Sequence, residues 1–529
     1  MSEDYPRSGR AWVYFSRSTI GIAVFCGALF RLIPLVSTEL EMFGRFPTED
    51  GYLAMTIGRD MSLGLGPSVP IDVSGNRALT NGFQPLCVLL WSAAFWLVDG
   101  NRYWGTWLIL AFSTLVAAAT CYVIWRVGRR LLAPLPWGSD VAAITAAIWF
   151  ATPQTMNHTM NGLETGMLSL VSAVTVWAFM RDMDGQNETW SWRRRMAWGG
   201  LLGSCTWIRV DAVFLILASC CAWLLVPGRG GRLVVHHRLK ESIVSGALAI
   251  LVASPWLAFG YVLFGRLMPI SGVAQASYST FGGNLYRAGP ALLSYIFPVA
   301  PGHYAPGAWL PDDTRVWPLL VALPIGVAAL VGLARVSREL RPVVALLAIY
   351  SLGMFAYYAL SFGAPHFLSR YFMPLSPFLI MAGLGLLMTR LRRWRVTGRV
   401  VLGLLFAVTL VRAGMLNELN RQRSTMHPHF GVVYWVETRL DPDTWVGALQ
   451  TGTLGFFHDK TINLDGKVNP VALEHLLAGT LPAYVVSTGI TLFVDWPTSL
   501  GWLPEGSLDG FEQVHIHHGS NVVVLQRVP

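Results

Sequence analysis

The sequence predicts a polytopic α-helical membrane protein with a small extracytoplasmic α/β domain at its C-terminal end. Three observations predict this fold class. Hydrophobic residues make up 53% of the 529 residues and charged residues only 13%, about half of the charged share in soluble proteins. Apolar runs of membrane-spanning length recur as far as residue 416. After that residue the polar side chains return and no run is long enough to span.

The apolar runs predict about eleven transmembrane helices. They lie near 19–38, 105–125, 139–155, 162–180, 196–209, 211–227, 243–264, 316–334, 342–361, 371–390 and 399–416. A further run, 83–98, is ambiguous, and the basic residues decide it, because cytoplasmic loops are enriched in Arg and Lys. With the N-terminus in the cytoplasm, all five basic clusters between spans are cytoplasmic only if 83–98 lies in the outer leaflet without crossing.

This topology assigns 1–416 to a transmembrane domain and 417–529 to the extracytoplasmic domain. The outer loop 39–104 then contains juxtamembrane helices, one of them predicted at 52–61 by its amphipathic spacing. The outer loop 265–315 is rich in Gly and Pro, which fits either a mobile segment over a lipid-facing cavity or a plain surface loop. The first apolar segment follows three arginines and lacks a small-residue cleavage site, so we expect an uncleaved anchor.

The C-terminal region has the pattern of an independent α/β domain. It holds about a hundred residues, enough for a core of its own. Its periodicity predicts helices at 427–440 and 470–487 and strands at 445–450, 462–464, 490–495 and 514–525.

Composition argues against a nucleic-acid-binding protein and against a protein stabilised by disulfides or zinc. The net charge of +9 comes from arginines clustered between apolar segments, which is typical of membrane-protein orientation rather than of nucleic-acid binding. All six cysteines lie in apolar segments without metal-ligand spacing. We therefore expect no disulfide and no zinc site.

The most informative stretch is the acid pair Glu49 and Asp50, directly after the first span, because charge that close to hydrocarbon is costly and marks a functional site. Further polar motifs stand at the outer ends of later segments. The motifs are 49–52, 80–86, 161–165, 209–211, 269–272 and 369–374. In their order and common sidedness they resemble the GT-C superfamily of membrane glycosyltransferases, which use polyprenyl-phosphate sugars. The C-terminal domain resembles those appended to many bacterial members.

The resemblance implies a GT-C enzyme of the bacterial inner membrane, with a cytoplasmic N-terminus and a periplasmic C-terminal domain. Such an enzyme transfers a sugar from a polyprenyl-phosphate-linked donor to an extracytoplasmic acceptor, which is a cell-envelope glycan, a lipid or a protein. The partners are thus the donor, the acceptor and the lipid bilayer, without nucleic acid.

By the same resemblance, Asp50 is the catalytic base and Glu49 its alternate. A carboxylate that takes the proton of the acceptor hydroxyl accelerates attack on an oxocarbenium-like centre. Adjacent residues of an extended loop point in opposite directions, so only one of the two is expected to face the substrate. The alternative is that both are solvated acids that fix the loop.

The remaining candidates are substrate-binding residues. Glu164 is expected to position donor or acceptor hydroxyls, or else to be a helix N-terminal acid stabilised by the macrodipole. Arg370 suits a lipid phosphate because a guanidinium binds phosphate bidentately, although an interfacial snorkelling arginine would look the same. His366 is a weaker candidate for the phosphate.

Tyr52, Gln84 and Tyr371 are included as substrate-binding candidates because they belong to the matched motifs. Arg209 and Asp211, two residues apart at a helix break, favour a structural ion pair over catalysis. Asp465 favours a turn and cap role over contact with the acceptor.

Two questions stay open at this point. The Glu49–Asp50 pair alone does not make a site for a divalent cation, and relatives with monophosphate donors usually dispense with one, so no cofactor is assigned and a divalent cation stays an option. The competing functions are a flippase for lipid-linked sugars and a polymer ligase with a polyprenyl-diphosphate donor. A flippase should show related halves, which the sequence lacks, and a ligase should show more outward cations.

Overall fold

The computed structural model describes residues 7–183, 190–227, 235–298, 316–364, 368–391, 393–423, 428–517 and 522–528. Within these ranges, the elements up to residue 423 are helices apart from one short hairpin, and a domain with a mixed sheet follows. The helices before the sheet domain are α1 (Arg7–Leu32), α2 (Glu39–Arg45), α3 (Glu49–Ser62), α4 (Pro85–Trp96), α5 (Arg102–Leu131), α6 (Gly138–Ala151), α7 (Pro153–Met160), α8 (Thr165–Met183), α9 (Trp192–Ile208), α10 (Val213–Trp223), α11 (Val235–Phe264), α12 (Ile270–Ser277), α13 (Leu285–Ile296), α14 (Trp317–Val336), α15 (Arg341–Leu360), α16 (Leu368–Tyr371), α17 (Ser376–Arg390) and α18 (Arg395–Arg423).

Within the described residues, seven helical segments are long and apolar enough to cross a membrane, and the number is eight if α7 and α8, bent by 106° at their break, form one span. The seven are Thr19–Val36, Arg102–Leu131, Val235–Phe264, Trp317–Val336, Arg338–Leu360, Met373–Arg390 and Val396–Leu419. Three of the eleven predicted spans fall on α6, α9 and α10, of 14, 17 and 11 residues. These helices are shorter than the roughly 20 residues that a span needs. The chain is a multi-pass membrane protein in which, among the described residues, seven or eight apolar segments have full spanning length and others are shorter.

The helix α6 shows why a predicted span can be shorter than the apolar run that predicts it. Apart from the exposed Ser139 it is buried along its length, and it packs against α1, α5, α17 and α18. A short helix inside a bundle is as apolar as one in lipid, so composition does not separate the two. The helix α4 occupies the ambiguous run 83–98, and its 12 residues extend about 18 Å, too short to cross.

The first outer loop folds into α2, α3, the antiparallel hairpin β1 (Ser68–Pro70) and β2 (Arg77–Leu79), and α4. The helix predicted at 52–61 begins three residues earlier, at Glu49. Thr48 is its N-cap and accepts a hydrogen bond from the Gly51 amide at 3.4 Å. Two acids in the first turn are favourable at the positive end of the helix dipole.

The C-terminal domain has the predicted α/β architecture. Its elements are α19 (Pro428–Arg439), β3 (Val446–Ala448), α20 (Thr451–Phe457), β4 (Thr461–Asn463), α21 (Pro470–Leu477), α22 (Leu481–Ser487), β5 (Leu492–Asp495), β6 (Phe511–His517) and β7 (Val522–Arg527). The sheet order is β4-β3-β5-β7-β6, with the first three strands parallel and the last two antiparallel to their neighbours. The helix predicted at 470–487 is two helices, because the backbone turns at Gly479, whose φ is +69°.

This domain docks on the first outer loop through aromatic rings. Phe456 of α20 is fully buried, with its ring centroid 5.0 Å from that of Tyr52 and 6.2 Å from that of Phe43. At the edge of this contact, Asp459 accepts from Arg59 at 3.0 Å and from Arg102 at 2.7 Å. Apolar burial with an ion pair at its rim therefore fixes the domain on the outer loop.

Replacing Phe456 with Ala should destabilise this contact. Truncating a fully buried Phe removes apolar contacts and leaves a cavity, at a cost of about 3–5 kcal/mol. We expect a lower Tm and faster proteolysis of the C-terminal domain in the detergent-purified chain. Tyr434→Ala is the control, since Tyr434 is 70% exposed on α19; equal effects of the two substitutions would contradict the prediction.

Candidate active site

The membrane domain and the C-terminal domain enclose a cavity of about 360 Å³. Three carboxylates and three cations from five separate segments line it: Asp50, Glu164, Arg209, Asp211, Arg370 and Lys467. The apolar part of its wall includes Leu53, Phe83, Phe214, Tyr357, Tyr358, Phe362 and Tyr371. A concave site with convergent polar groups on an apolar wall is the usual form of a small-molecule site.

Asp50 and Arg370 meet inside this cavity although 320 positions separate them in the chain. The Arg370 Nη1 atom donates to Asp50 Oδ2 at 2.8 Å, and its Nη2 atom donates to the Tyr371 hydroxyl at 2.9 Å. The acid comes from the first turn of α3 and the arginine from the short helix α16. The predicted base and the predicted phosphate ligand therefore border one space.

A second cluster of charged side chains is centred on Arg209, at the break between α9 and α10. Its Nη2 atom lies 3.0 Å from Asp211 Oδ2, and its Nη1 atom lies 3.5 Å from Glu164 Oε1. The Tyr358 hydroxyl bonds to both Arg209 and Asp211. Arg209 and Asp211 thus form the ion pair that their spacing predicts, and Glu164 joins it.

The two charged groups are connected by an aromatic stack. The rings of Tyr358 and Tyr371 lie parallel, with centroids 4.3 Å apart, and the Arg209 guanidinium lies 4.6 Å from the Tyr371 centroid. Asp211 Oδ1 is buried and has no hydrogen-bond partner among the described residues. A buried carboxylate oxygen without a donor is unfavourable, so this atom is a ready acceptor for a hydroxyl group.

Glu49 faces away from the cavity. Its carboxylate accepts hydrogen bonds from the amides of Gly452 and Thr453 and, at 2.6 Å, from the Thr453 hydroxyl. A side chain at position 452 would place its Cβ 1.9 Å from the Glu49 carbonyl oxygen, so only glycine permits this approach. Glu49 and Asp50 point in different directions because successive residues of a helix are about 100° apart, rather than because the loop is extended.

Tyr52 also lies outside the cavity. It is buried, its hydroxyl donates to the Phe43 carbonyl at 2.7 Å, and its ring packs on Phe456 and Phe457 of the C-terminal domain. These contacts make it part of the docking surface. The structure therefore does not bring Glu49 or Tyr52 together with the other predicted site residues.

Gln84 and Tyr371 do line the cavity. Gln84 stands directly before α4, and its buried Oε1 atom has no hydrogen-bond partner within the described part of the chain. His366 lies outside the described residues. Five of the predicted site residues therefore line one cavity: Asp50, Gln84, Glu164, Arg370 and Tyr371.

Lys467 is a cavity residue that sequence reasoning missed. It lies on the turn after β4, and its Nζ atom is 3.2 Å from Asp465 Oδ2. Burial lowers the pKa of Lys467, but the carboxylates of Asp465, Asp50 and Glu49 outweigh burial, so its pKa lies above the usual value and the side chain is charged. The turn itself was predicted. Its position at the cavity depends on how the C-terminal domain packs against the membrane domain, and no local sequence pattern indicates that packing.

The described residues contain no group of three or more His, Cys, Asp or Glu side chains placed to hold a metal ion. Glu49 and Asp50 in particular point apart, so they do not share a ligand. The cavity carboxylates are each paired with an arginine.

No protein-family model and no curated protein sequence matches the chain. Two solved structures of ArnT from Cupriavidus metallidurans do match it. The one bound to undecaprenyl phosphate has a TM-score of 0.53 and 16% identity, covering 97% of this chain and 98% of that one. The apo structure has a TM-score of 0.55 and 15% identity, covering 98% of each chain. The likeness confirms the predicted GT-C fold over nearly the full length.

Replacing Glu49 with Ala should loosen the C-terminal domain without removing a cavity residue. The loss leaves the buried Gly452 and Thr453 amides unpaired, which costs about 1–3 kcal/mol for each group. We expect a lower Tm and faster proteolysis after α18. Glu39→Ala, an exposed acid of the same outer loop, should change neither, and a wild-type Tm for Glu49→Ala would refute the anchoring role.

Proposed function

We propose that the protein is a GT-C glycosyltransferase that moves a sugar from a polyprenyl-phosphate-linked donor to an acceptor at the outer face of the bacterial inner membrane. The acceptor is a glycan, a lipid or a protein of the cell envelope. The Asp50–Arg370 pair in one cavity is the observation that carries this proposal, because it joins a general base to a phosphate-binding cation. The fold shared with ArnT, which binds undecaprenyl phosphate in a solved structure, supports the choice of donor class.

In the proposed reaction, the acceptor hydroxyl oxygen forms a bond to the anomeric carbon of the sugar. The bond between that carbon and the phosphate oxygen breaks, and the lipid phosphate leaves with the electron pair. Asp50 takes the hydroxyl proton as attack proceeds. General-base assistance of this kind contributes about a hundredfold to ten-thousandfold in rate.

Arg370 serves both the base and the phosphate. A guanidinium has five N–H donors in a fixed planar arrangement, so it can bind a phosphate oxygen while it orients Asp50, or exchange one for the other. A phosphate that draws Arg370 away from Asp50 leaves that carboxylate a stronger base. Donor binding would in this way activate the base.

The Arg209 group is suited to holding the sugar. Asp211 and Gln84 line the cavity, and each has a buried acceptor oxygen without a partner among the described residues. Glu164 forms an ion pair with Arg209 at 3.5 Å. Aromatic faces beside such acceptors bind the apolar face of a sugar ring while its hydroxyls donate. The proposal places the sugar between the Arg209 group and Asp50.

We propose that the N-terminus is cytoplasmic and the C-terminal domain periplasmic. The basic clusters at the ends of the spans support this orientation. The lipid donor then enters from the outer leaflet, and the acceptor from the periplasm.

Asp50→Asn should abolish most sugar transfer, because the amide cannot take a proton. We expect a loss of about a hundredfold to ten-thousandfold in kcat, measured in membranes with synthetic polyprenyl-phosphate sugars as donors. Asp99→Asn is the matched control in the same loop, since Asp99 has φ +52°, a conformation that Asn tolerates. Full transfer by the Asp50 variant would remove that residue from the mechanism.

Arg370→Gln should reduce donor use more strongly than Arg370→Lys. The glutamine removes the charge, whereas the lysine keeps it but loses the planar pair of donors. We expect kcat/KM for the donor to fall by about a hundredfold or more for the glutamine and by less for the lysine. Arg335→Gln, at an exposed position of α14, should behave as wild type; unchanged kinetics in both Arg370 variants would contradict its assignment to the phosphate.

A further inference from the structure

We propose that Lys467 of the C-terminal domain binds the phosphate of the lipid carrier, and that it stabilises the departing lipid phosphate more than the bound donor. This inference rests on the proposed function and adds a residue to the same site. It makes the C-terminal domain a part of the active site.

A rigid turn presents Lys467 to the cavity. After β4, Asn463 Oδ1 accepts from the Gly466 amide at 3.2 Å, and Asp465 Oδ1 accepts from the Lys467 amide at 2.9 Å. Asn469 then caps α21 and also donates to the Asn463 carbonyl at 2.8 Å. Side-chain bonds to the backbone on both sides of Lys467 limit the conformations of this turn.

The turn is held against the first outer loop by a close backbone contact. A Cβ atom at Gly82 would lie 2.2 Å from the Lys467 carbonyl oxygen and 2.9 Å from the Val468 Cα. The same loop binds α12, because the side chain of Asn81 accepts from the Ile270 amide at 3.1 Å. The position of Lys467 relative to the cavity wall is therefore set by the membrane domain.

The ion-pair partners distinguish Lys467 from the two arginines. Arg209 holds Glu164 and Asp211, and Arg370 holds Asp50, so each arginine joins separate segments of the chain. The partner of Lys467 is Asp465, two residues away on its own turn. A phosphate can replace that carboxylate without separating any two elements of the site.

The charge change of the reaction favours a second cation beside Arg370. A sugar–phosphate–lipid diester carries one negative charge, whereas the lipid phosphate monoester carries close to two at neutral pH, since its second pKa is about 6. A group that interacts more strongly with the charge formed during reaction lowers the barrier. An ammonium group is a compact charge that can follow the leaving oxygen.

Binding of polyprenyl phosphate to the purified full-length chain tests this inference without requiring transfer. We expect Lys467→Gln to weaken the binding of polyprenyl phosphate by about tenfold to a hundredfold and to leave the binding of the neutral polyprenol unchanged. Lys467→Arg should recover most of the affinity. Lys460→Gln is the control in the same domain, because Lys460 is partly exposed and pairs with Asp443 at 3.8 Å.

Wild-type affinity of a folded Lys467→Gln variant for polyprenyl phosphate overturns the inference while the proposed function stands. A wild-type protein that binds polyprenyl phosphate no better than polyprenol overturns both. Should Lys467→Gln not fold, Asp465→Asn decides: it keeps the turn acceptor but removes the competing charge, so polyprenyl phosphate should bind more tightly. Unchanged affinity of that variant counts against the role of Lys467.

Discussion

The site depends on the first turn of α3, because the two carboxylates of this turn point in different directions and bind different parts of the chain. Glu49 takes the amides of Gly452 and Thr453 and so holds the C-terminal domain. Asp50 takes Arg370, in the short helix before α17. One helical turn therefore connects the C-terminal domain to the membrane helices, and any movement of α3 would displace both contacts together.

The buried charged side chains of the membrane domain are stabilised by ion pairs with one another. Arg209, Glu164 and Asp211 are all buried, and the desolvation of such groups is costly unless opposite charges and hydrogen bonds compensate. The three residues and the Tyr358 hydroxyl form one network. One arginine offsets part of the charge of the two carboxylates, and Asp211 keeps an acceptor oxygen without a partner among the described residues.

Much of the fold follows from local properties of the sequence. Transfer of apolar residues out of water depends on composition, so the long spans and the change at residue 417 are visible without coordinates. The unusual placement of Asp50 and Arg370 beside apolar runs likewise marked them as candidate site residues. Composition alone does not tell a buried short helix such as α6 from a lipid-exposed one, because both are apolar. The long helix α18 also continues past the predicted domain boundary, to Arg423.

The sequence by itself determined a helical membrane protein with an acid pair after its first span, a later arginine before another apolar run, and a C-terminal α/β domain. Only the tertiary structure decided that Glu49 and Tyr52 face the C-terminal domain, and that Lys467 enters the cavity. The physical reason is that hydropathy and charge patterns report on local structure, within a few turns of the chain. The direction of a side chain across a domain contact depends instead on packing between segments some 400 residues apart, such as Glu49 and Thr453.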